Sequence, residues 1–217
     1  QLGDMPEAIS ALQRCLRMAP TLTEARYNLA YAYNLTGEHA KAAEHYEIVL
    51  RDKPNDSNAL NNYASTLQEL GRVADAVAVY RRLVEQGSQL PMAHFNLGLA
   101  LHDCGKHDEA LACFGKVLEL DPHQADAHFS LANVLSDQGR HEEAIAAFSF
   151  ALTLRPHWPQ ALANRALSYI ALDRPADALS DCMEAESNDY LLNASRAALK
   201  LHHYDTAIQL LDVVLIS

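Results

Sequence analysis

Apolar residues fall along this chain in paired short stripes at helical spacing, separated by brief polar turns. The segment Ala93–Asp121 shows the pattern. Leu97, Gly98 and Leu101 form one stripe, and Ala110, Leu111, Phe114, Val117 and Leu118 form the next. Steps of three and four residues put each set on one face of an α-helix. Gly105 lies between them, where a left-handed backbone ends a helix at little steric cost. Pro122 follows the second stripe and cannot continue a helix interior. The next segment repeats the arrangement with Leu131, Ala132, Leu135, Gly139, Ala144, Ile145, Phe148, Ala151 and Pro156.

The step between segments is 34 residues. Gly3, Gly37, Gly71, Gly105 and Gly139 share it, and Asp173 takes the next place. Ala8, Ala42, Ala76, Ala110, Ala144 and Ala178 share it, as do Pro20, Pro54, Pro122 and Pro156, with Ser88 in the gap. Counting from the first residue of each unit, position 8 is Ala30, Ala64, Gly98, Ala132 or Ala166, and position 24 is Tyr46, Tyr80, Phe114 or Phe148. Small residues let two helices approach closely while the bulky ring fills the adjacent space, so a larger residue in an Ala column would overpack the hairpin. The period and these columns resemble the tetratricopeptide repeat family.

That resemblance implies an all-α fold, a right-handed α-solenoid of antiparallel helix hairpins that coils into a superhelix with a concave groove. The whole chain, 1–217, is expected to be one array. Residues 1–22 read as a partial repeat. Repeats follow at 23–56, 57–90, 91–124, 125–158 and 159–187, and a divergent last unit spans 188–217, where His202 replaces the glycine. The partial start and the apolar end at Val213, Val214, Leu215 and Ile216 are expected of a fragment of a longer protein.

In each first helix, positions 4, 7, 8 and 11 are expected to form the core stripe. At 100° per residue, positions 2, 5, 6, 9, 12 and 13 lie opposite. In tetratricopeptide proteins that side lines the groove. Position 6 reads Asn28, Asn62, Asn96, Ser130, Asn164 and Asn193. Asn is a poor choice for an exposed helix interior on propensity alone. A column of amides offers paired donors and acceptors that suit the backbone of an extended peptide; the alternative is that these Asn position the helices. Tyr27, Phe95 and Phe129 at position 5 and Tyr31 at position 9 are candidate aromatic anchors, with Asn133 also at position 9 and Asp126 at position 2. For Phe95 and Phe129 the alternative is packing against the next repeat.

Repeat 159–187 is similar to repeats of co-chaperones that clamp a C-terminal carboxylate. Asn133 and Asn164 match that clamp, but Phe129, Asp189 and Asn193 stand where its cations belong, so a carboxylate would find no positive partner. The Asn column instead resembles the peptide-tracking superhelix of O-linked N-acetylglucosamine transferases, which carry a separate catalytic domain that nothing here resembles.

Composition narrows the function further. The chain has 217 residues, a formal charge of −11 and no basic run. That argues against a nucleic-acid partner, which needs clustered Lys and Arg. No stretch approaches the ~20 apolar residues of a membrane span. Cys15, Cys104, Cys113 and Cys182 each fall at an apolar position and read as reduced, small core residues, which favours a cytoplasmic setting. The His residues do not form a ligand set: His94 and His128 lie one repeat apart, too far for one zinc, and His39, His107 and His141 read as interfacial packing residues. No nucleophile, P-loop, dinucleotide or metalloprotease motif occurs. The sequence therefore points to a non-catalytic scaffold without a cofactor, binding a neutral to basic protein or peptide. The alternative is the substrate-recruiting arm of a larger modifying enzyme such as a glycosyltransferase. End-to-end self-association through the open ends is a third expectation.

Overall fold

The computed structural model describes residues 5–87, 91–185, 188–200 and 202–216; Gly3, Ser88 and the side chains of Val213, Val214, Leu215 and Ile216 lie outside the description. Thirteen α-helices and no strand make up the described residues. Helices follow one another in hairpins, and each touches helices close to it in sequence. This is the expected all-α solenoid architecture.

The helices group into two units. The first, Gln1–Lys106, holds α1 (Met5–Met18), α2 (Thr23–Leu35), α3 (His39–Asp52), α4 (Ser57–Glu69), α5 (Val73–Glu85) and α6 (Pro91–Asp103). Within it α2 packs on α1, α3 and α4, and α4 packs on α3, α5 and α6. The second, His107–Ser217, holds α7 (His107–Leu120), α8 (Ala125–Asp137), α9 (His141–Leu154), α10 (Pro159–Ala171), α11 (Pro175–Glu184), α12 (Asn188–Lys200) and α13 (Tyr204–Ile216). There α8 packs on α7, α9 and α10, and α10 on α9, α11 and α12.

The turns explain why the hairpins recur. Gly37 has φ 78° and Gly139 φ 74°, the left-handed region that the glycine column was expected to supply. At both turns the next backbone N–H reaches back to the helix: Glu38 to the Tyr33 carbonyl at 2.8 Å, Arg140 to that of Leu135 at 2.9 Å. Asp173 (φ 54°) and His202 (φ 64°) adopt the same conformation without glycine. Arg174 and His203 then close the same bonds, to Tyr169 and Ala198, at 2.9 Å each. The capping hydrogen bonds thus hold the turn geometry where the residue itself resists it. Asp56 caps α4 by accepting from the Ala59 N–H at 3.0 Å, and prolines open α6, α10 and α11.

Small and large residues interlock as their columns imply. In the first unit Ala30 and Ala42 are fully buried against Leu29, Tyr33 and Tyr46. In the second, Ala132, Ala144 and Ala161 surround Phe148. The core face of the first helices is broader than the expected stripe. Ala25, Ala59, Ala93, Ala127 and Ala161 at position 3 are buried, and so are Ala32, Thr66, Ala100, Val134 and Ser168 at position 10. Arg26, His94 and His128 at position 4 are only half-buried. The reason is that such a helix packs on neighbours at two flanks, so one 100° stripe cannot contain its contacts. The cysteines differ from expectation too. All four are free thiols, but only Cys182 is buried, and Cys104 is exposed. Burial, then the nearby Asp181 charge, pushes the Cys182 thiol up to about 12.

Candidate functional site

The first unit assembles much of the expected site on α2, α4 and α6. Tyr27 rises from α2 with its ring edge-on to Tyr46, centroids 5.8 Å apart. Its phenol oxygen accepts from Asn62 Nδ2 on α4 at 2.8 Å. Beside it, Asn61 Nδ2 donates to Asn62 Oδ1 at 3.5 Å, and Asn96 Nδ2 on α6 donates to Asn61 Oδ1 at 2.9 Å. A polar relay therefore runs Asn96–Asn61–Asn62–Tyr27 across three successive first helices. Burial, followed by the Asp56 charge, raises the Tyr27 pKa, so the phenol stays protonated and keeps a hydrogen to donate. Asn28 and Tyr31 are exposed, Tyr31 by 48 %. Phe95 on α6 is half-buried.

Next to Tyr27 and Asn28 lies an open recess of about 340 Å³. Val49 and the Tyr27 ring give it an apolar wall, while Glu24, Lys53, Asp56 and Asn58 bring polar groups to its rim. Lys53 Nζ stands 3.8 Å from the Glu24 carboxylate, and both side chains are at least half-exposed, so this pair is weak.

The second unit holds its share of the column more tightly. Asn164 Nδ2 on α10 donates to Asn133 Oδ1 on α8 at 2.8 Å. One turn on, the Ser168 and Ser136 hydroxyls meet at 3.3 Å. Ser130 is buried with only 6 % exposure, although position 6 was expected to face away from the core. Phe129 is half-buried between Phe148, at 5.8 Å edge-on, and Trp158, at 4.5 Å. Arg155 lies over the other ring system, its guanidinium carbon 4.1 Å from the Trp158 centroid. The same guanidinium grips both Asp126 carboxylate oxygens at 3.1 Å. Phe129 thus packs on Phe148 and Trp158 while staying half-buried, and Asp126 forms a half-exposed ion pair with Arg155.

Arg155 and Trp158 belong to these networks although the periodic columns do not single them out, while Asn61 stands in the position-5 column with Tyr27, Phe95 and Phe129. Asn61 was visible as the Asn next to Asn62. Nothing periodic marks Arg155 or the lone Trp. Among the described residues no group of three or more His, Cys, Asp or Glu is placed to hold a metal, and no helix is long and apolar enough to cross a membrane.

Comparison with known proteins agrees with this architecture. Family models described as tetratricopeptide repeat match residues 1–57, 125–157 and 159–180, and one described as TPR repeat matches 98–139. A model described as anaphase-promoting complex, cyclosome, subunit 3 matches 37–117. Human aspartyl/asparaginyl beta-hydroxylase is 30% identical over 86 residues, 40% of this chain and 11% of that protein. The mouse protein is 29% identical over the same length, covering 12% of it. The chain thus spans about a tenth of the length of these curated relatives. Among solved structures, a tetratricopeptide repeat protein from Parabacteroides merdae superposes with a TM-score of 0.79 at 20% identity, covering 98% of this chain and 86% of that one. MamA superposes at 0.69 with 22% identity over 72% of this chain and 92% of its own. YrrB, described as "a TPR protein with an unusual peptide-binding site", superposes at 0.69 with 18% identity over 89% and 98%.

Proposed function

We propose that this chain, which belongs to the tetratricopeptide repeat family and is a protein-interaction scaffold, holds an extended peptide or a partner helix along the faces that carry its Asn column. The observation that supports this most is the hydrogen bonding of the column itself. Asn62, Asn96 and Asn164 each spend an amide hydrogen on a neighbouring helix. Each amide carries two hydrogens and an oxygen with two lone pairs, so capacity remains for a ligand backbone. Side chains already held in place lose less entropy on binding, which favours affinity. Exposed Asn28 and Tyr31 extend the same face, and the recess beside Tyr27 can receive a side chain. YrrB, a structural neighbour at the fold level, is described as having a peptide-binding site. The net charge of −11 selects a neutral to basic ligand, and free cysteines suit a reducing, cytoplasmic setting.

The test is a peptide-array screen of the wild-type chain and of an Asn62→Ala/Asn96→Ala/Asn164→Ala variant, each first shown folded by thermal melt. Peptides retained by the wild type and weakened about tenfold or more in the variant are expected. Equal retention by both would overturn the groove assignment and leave the column as helix positioning alone.

A second reading has its own support. The hydroxylases that this chain resembles over 86 residues are large enzymes of which it spans about a tenth. Read this way, the chain is the recruiting arm of a modifying enzyme. Sequencing the transcript decides it: an open frame running from residue 217 into a catalytic domain supports the arm, and a stop codon directly after it removes this reading.

A further inference from the structure

On the first unit, α1, α2 and α3 enclose a second recess, of about 460 Å³, away from the Asn column. Arg17 of α1, Arg26 and Tyr33 of α2 and His45 of α3 line it, with Gln13 beside them and Leu16 and Leu29 as apolar wall. No lining residue is acidic. In a chain carrying −11 this is a local reversal of charge. Among the described residues no carboxylate lies within ion-pair reach of Arg17 or Arg26. Glu44 acts on His45 as well, but less than burial and Arg26 do.

The internal hydrogen bonds make the recess a set of donors. Gln13 Nε2 donates to the Tyr33 phenol oxygen at 2.7 Å, so the Tyr33 hydrogen is left to point elsewhere. Arg26 Nη2 donates to the Pro20 carbonyl at 2.7 Å, which fixes the guanidinium. Its Nη1 stands 3.5 Å from His45 Nδ1. A cation at that nitrogen favours the tautomer with the hydrogen on Nε2, so His45 also presents a donor. The imidazole is held in place by stacking on Tyr33, centroids 5.6 Å apart at 23°. Lys41 lies 5.2 Å from the centroid of the same Tyr33 ring but is paired with Glu38, so it is not counted among the charges of the recess.

We propose that this recess binds a phosphate monoester carried by a partner protein, the phosphorylated side chain of a Ser, Thr or Tyr. Grouping two guanidiniums without a lining acid costs repulsion that an oxyanion would relieve, and the neutral His45 adds a donor. The donors from Arg17, Arg26, Tyr33 and His45 exceed what the two oxygens of a carboxylate accept, whereas a phosphate monoester offers three strong acceptor oxygens and up to two charges. Arg is suited to hold such a group through two parallel hydrogen bonds. The recess would make the scaffold responsive to phosphorylation of its partner, independently of what the Asn column holds.

The test is titration of the full chain with acetyl-Gly-phosphoserine-Gly-amide, followed by ¹⁵N-resolved NMR, with acetyl-Gly-Glu-Gly-amide and inorganic phosphate as parallel arms. Saturable shifts at Arg17, Arg26, Tyr33 and His45 are expected for the phosphopeptide, with about tenfold weaker binding of the Glu peptide. Arg17→Gln, at an exposed position, should weaken the phosphopeptide by about tenfold without lowering the melting temperature. Tyr33→Phe should weaken it less, keeping the ring stack while removing one donor. Indifference to Arg17→Gln, or equal affinity for the Glu peptide, would overturn the proposal. Inorganic phosphate binding as tightly as the phosphopeptide would overturn the partner-borne assignment.

Discussion

At the scale of single residues, the strongest polar anchor is the pair of Arg165 and Asp181. Arg165 Nη2 donates to Asp181 Oδ1 at 2.6 Å and Nε to Oδ2 at 2.8 Å, while Nη1 donates to the Ser149 hydroxyl at 2.9 Å. One guanidinium thereby ties α10 to α11 and α9. Asp181 is only 4 % exposed. Its carboxylate has been taken out of water and depends on that partner. Arg165→Met should destabilise by about 3 kcal/mol in chemical denaturation, because it leaves a buried charge without its counterion. Arg165→Met/Asp181→Leu should recover most of that loss. If the double variant is as unstable as the single one, the pair contributes through packing rather than charge. The contact was not legible in the sequence: Arg165 stands at position 7, where the other units carry Leu29, Tyr63, Leu97 and Leu131, and its meeting with Asp181 depends on how α10 lies against α11.

Elements follow the columns more closely. Alanine at position 20 meets the partner helix where the large ring of position 24 fills the remaining space. Ala144 is fully buried in the cluster that contains Ala132 and Phe148. Ala144→Leu adds three carbons to a space already closed and should cost about 1–3 kcal/mol, read as a lower melting temperature. An unchanged melt would mean that α8 and α9 part to admit the larger side chain. The left-handed turns belong to this scale as well. Gly139 was expected to end a helix because of what glycine permits, but Asp173 and His202 hold the same geometry. The capping hydrogen bonds are common to all three turns, and the glycine is not.

For the whole molecule, charge is the property that acts at a distance. With −11 spread over 217 residues, a cationic peptide is drawn toward the surface before any contact forms. The association rate of an Arg- or Lys-containing peptide retained by the array should fall about tenfold between roughly 0.05 and 0.5 M NaCl, with a smaller change in the dissociation rate. Stopped-flow mixing measures both. A salt-independent association rate would mean that the ligand face is electrically neutral despite the net charge. The proposed phosphate recess predicts the reverse selectivity at one place, where Arg17 and Arg26 line the surface without a lining acid.

What the sequence by itself determined is whatever repeats. The 34-residue step, the Ala and aromatic columns, the left-handed turns and the all-α solenoid follow from local preference and helical spacing, and these act between residues close along the chain. The Asn column was legible for the same reason. Tertiary structure decided what those side chains touch. Asn62 meets Tyr27 across 35 residues and Asn164 meets Asn133 across 31, and no helical wheel drawn for one helix contains either bond. Packing of Phe129 on Trp158, pairing of Asp126 with Arg155 and the gathering of Arg17, Arg26 and His45 from three helices have the same origin. Periodicity says which face of a helix is apolar; the packing of that face against particular neighbours decides which polar groups find partners and which keep their hydrogens for a ligand.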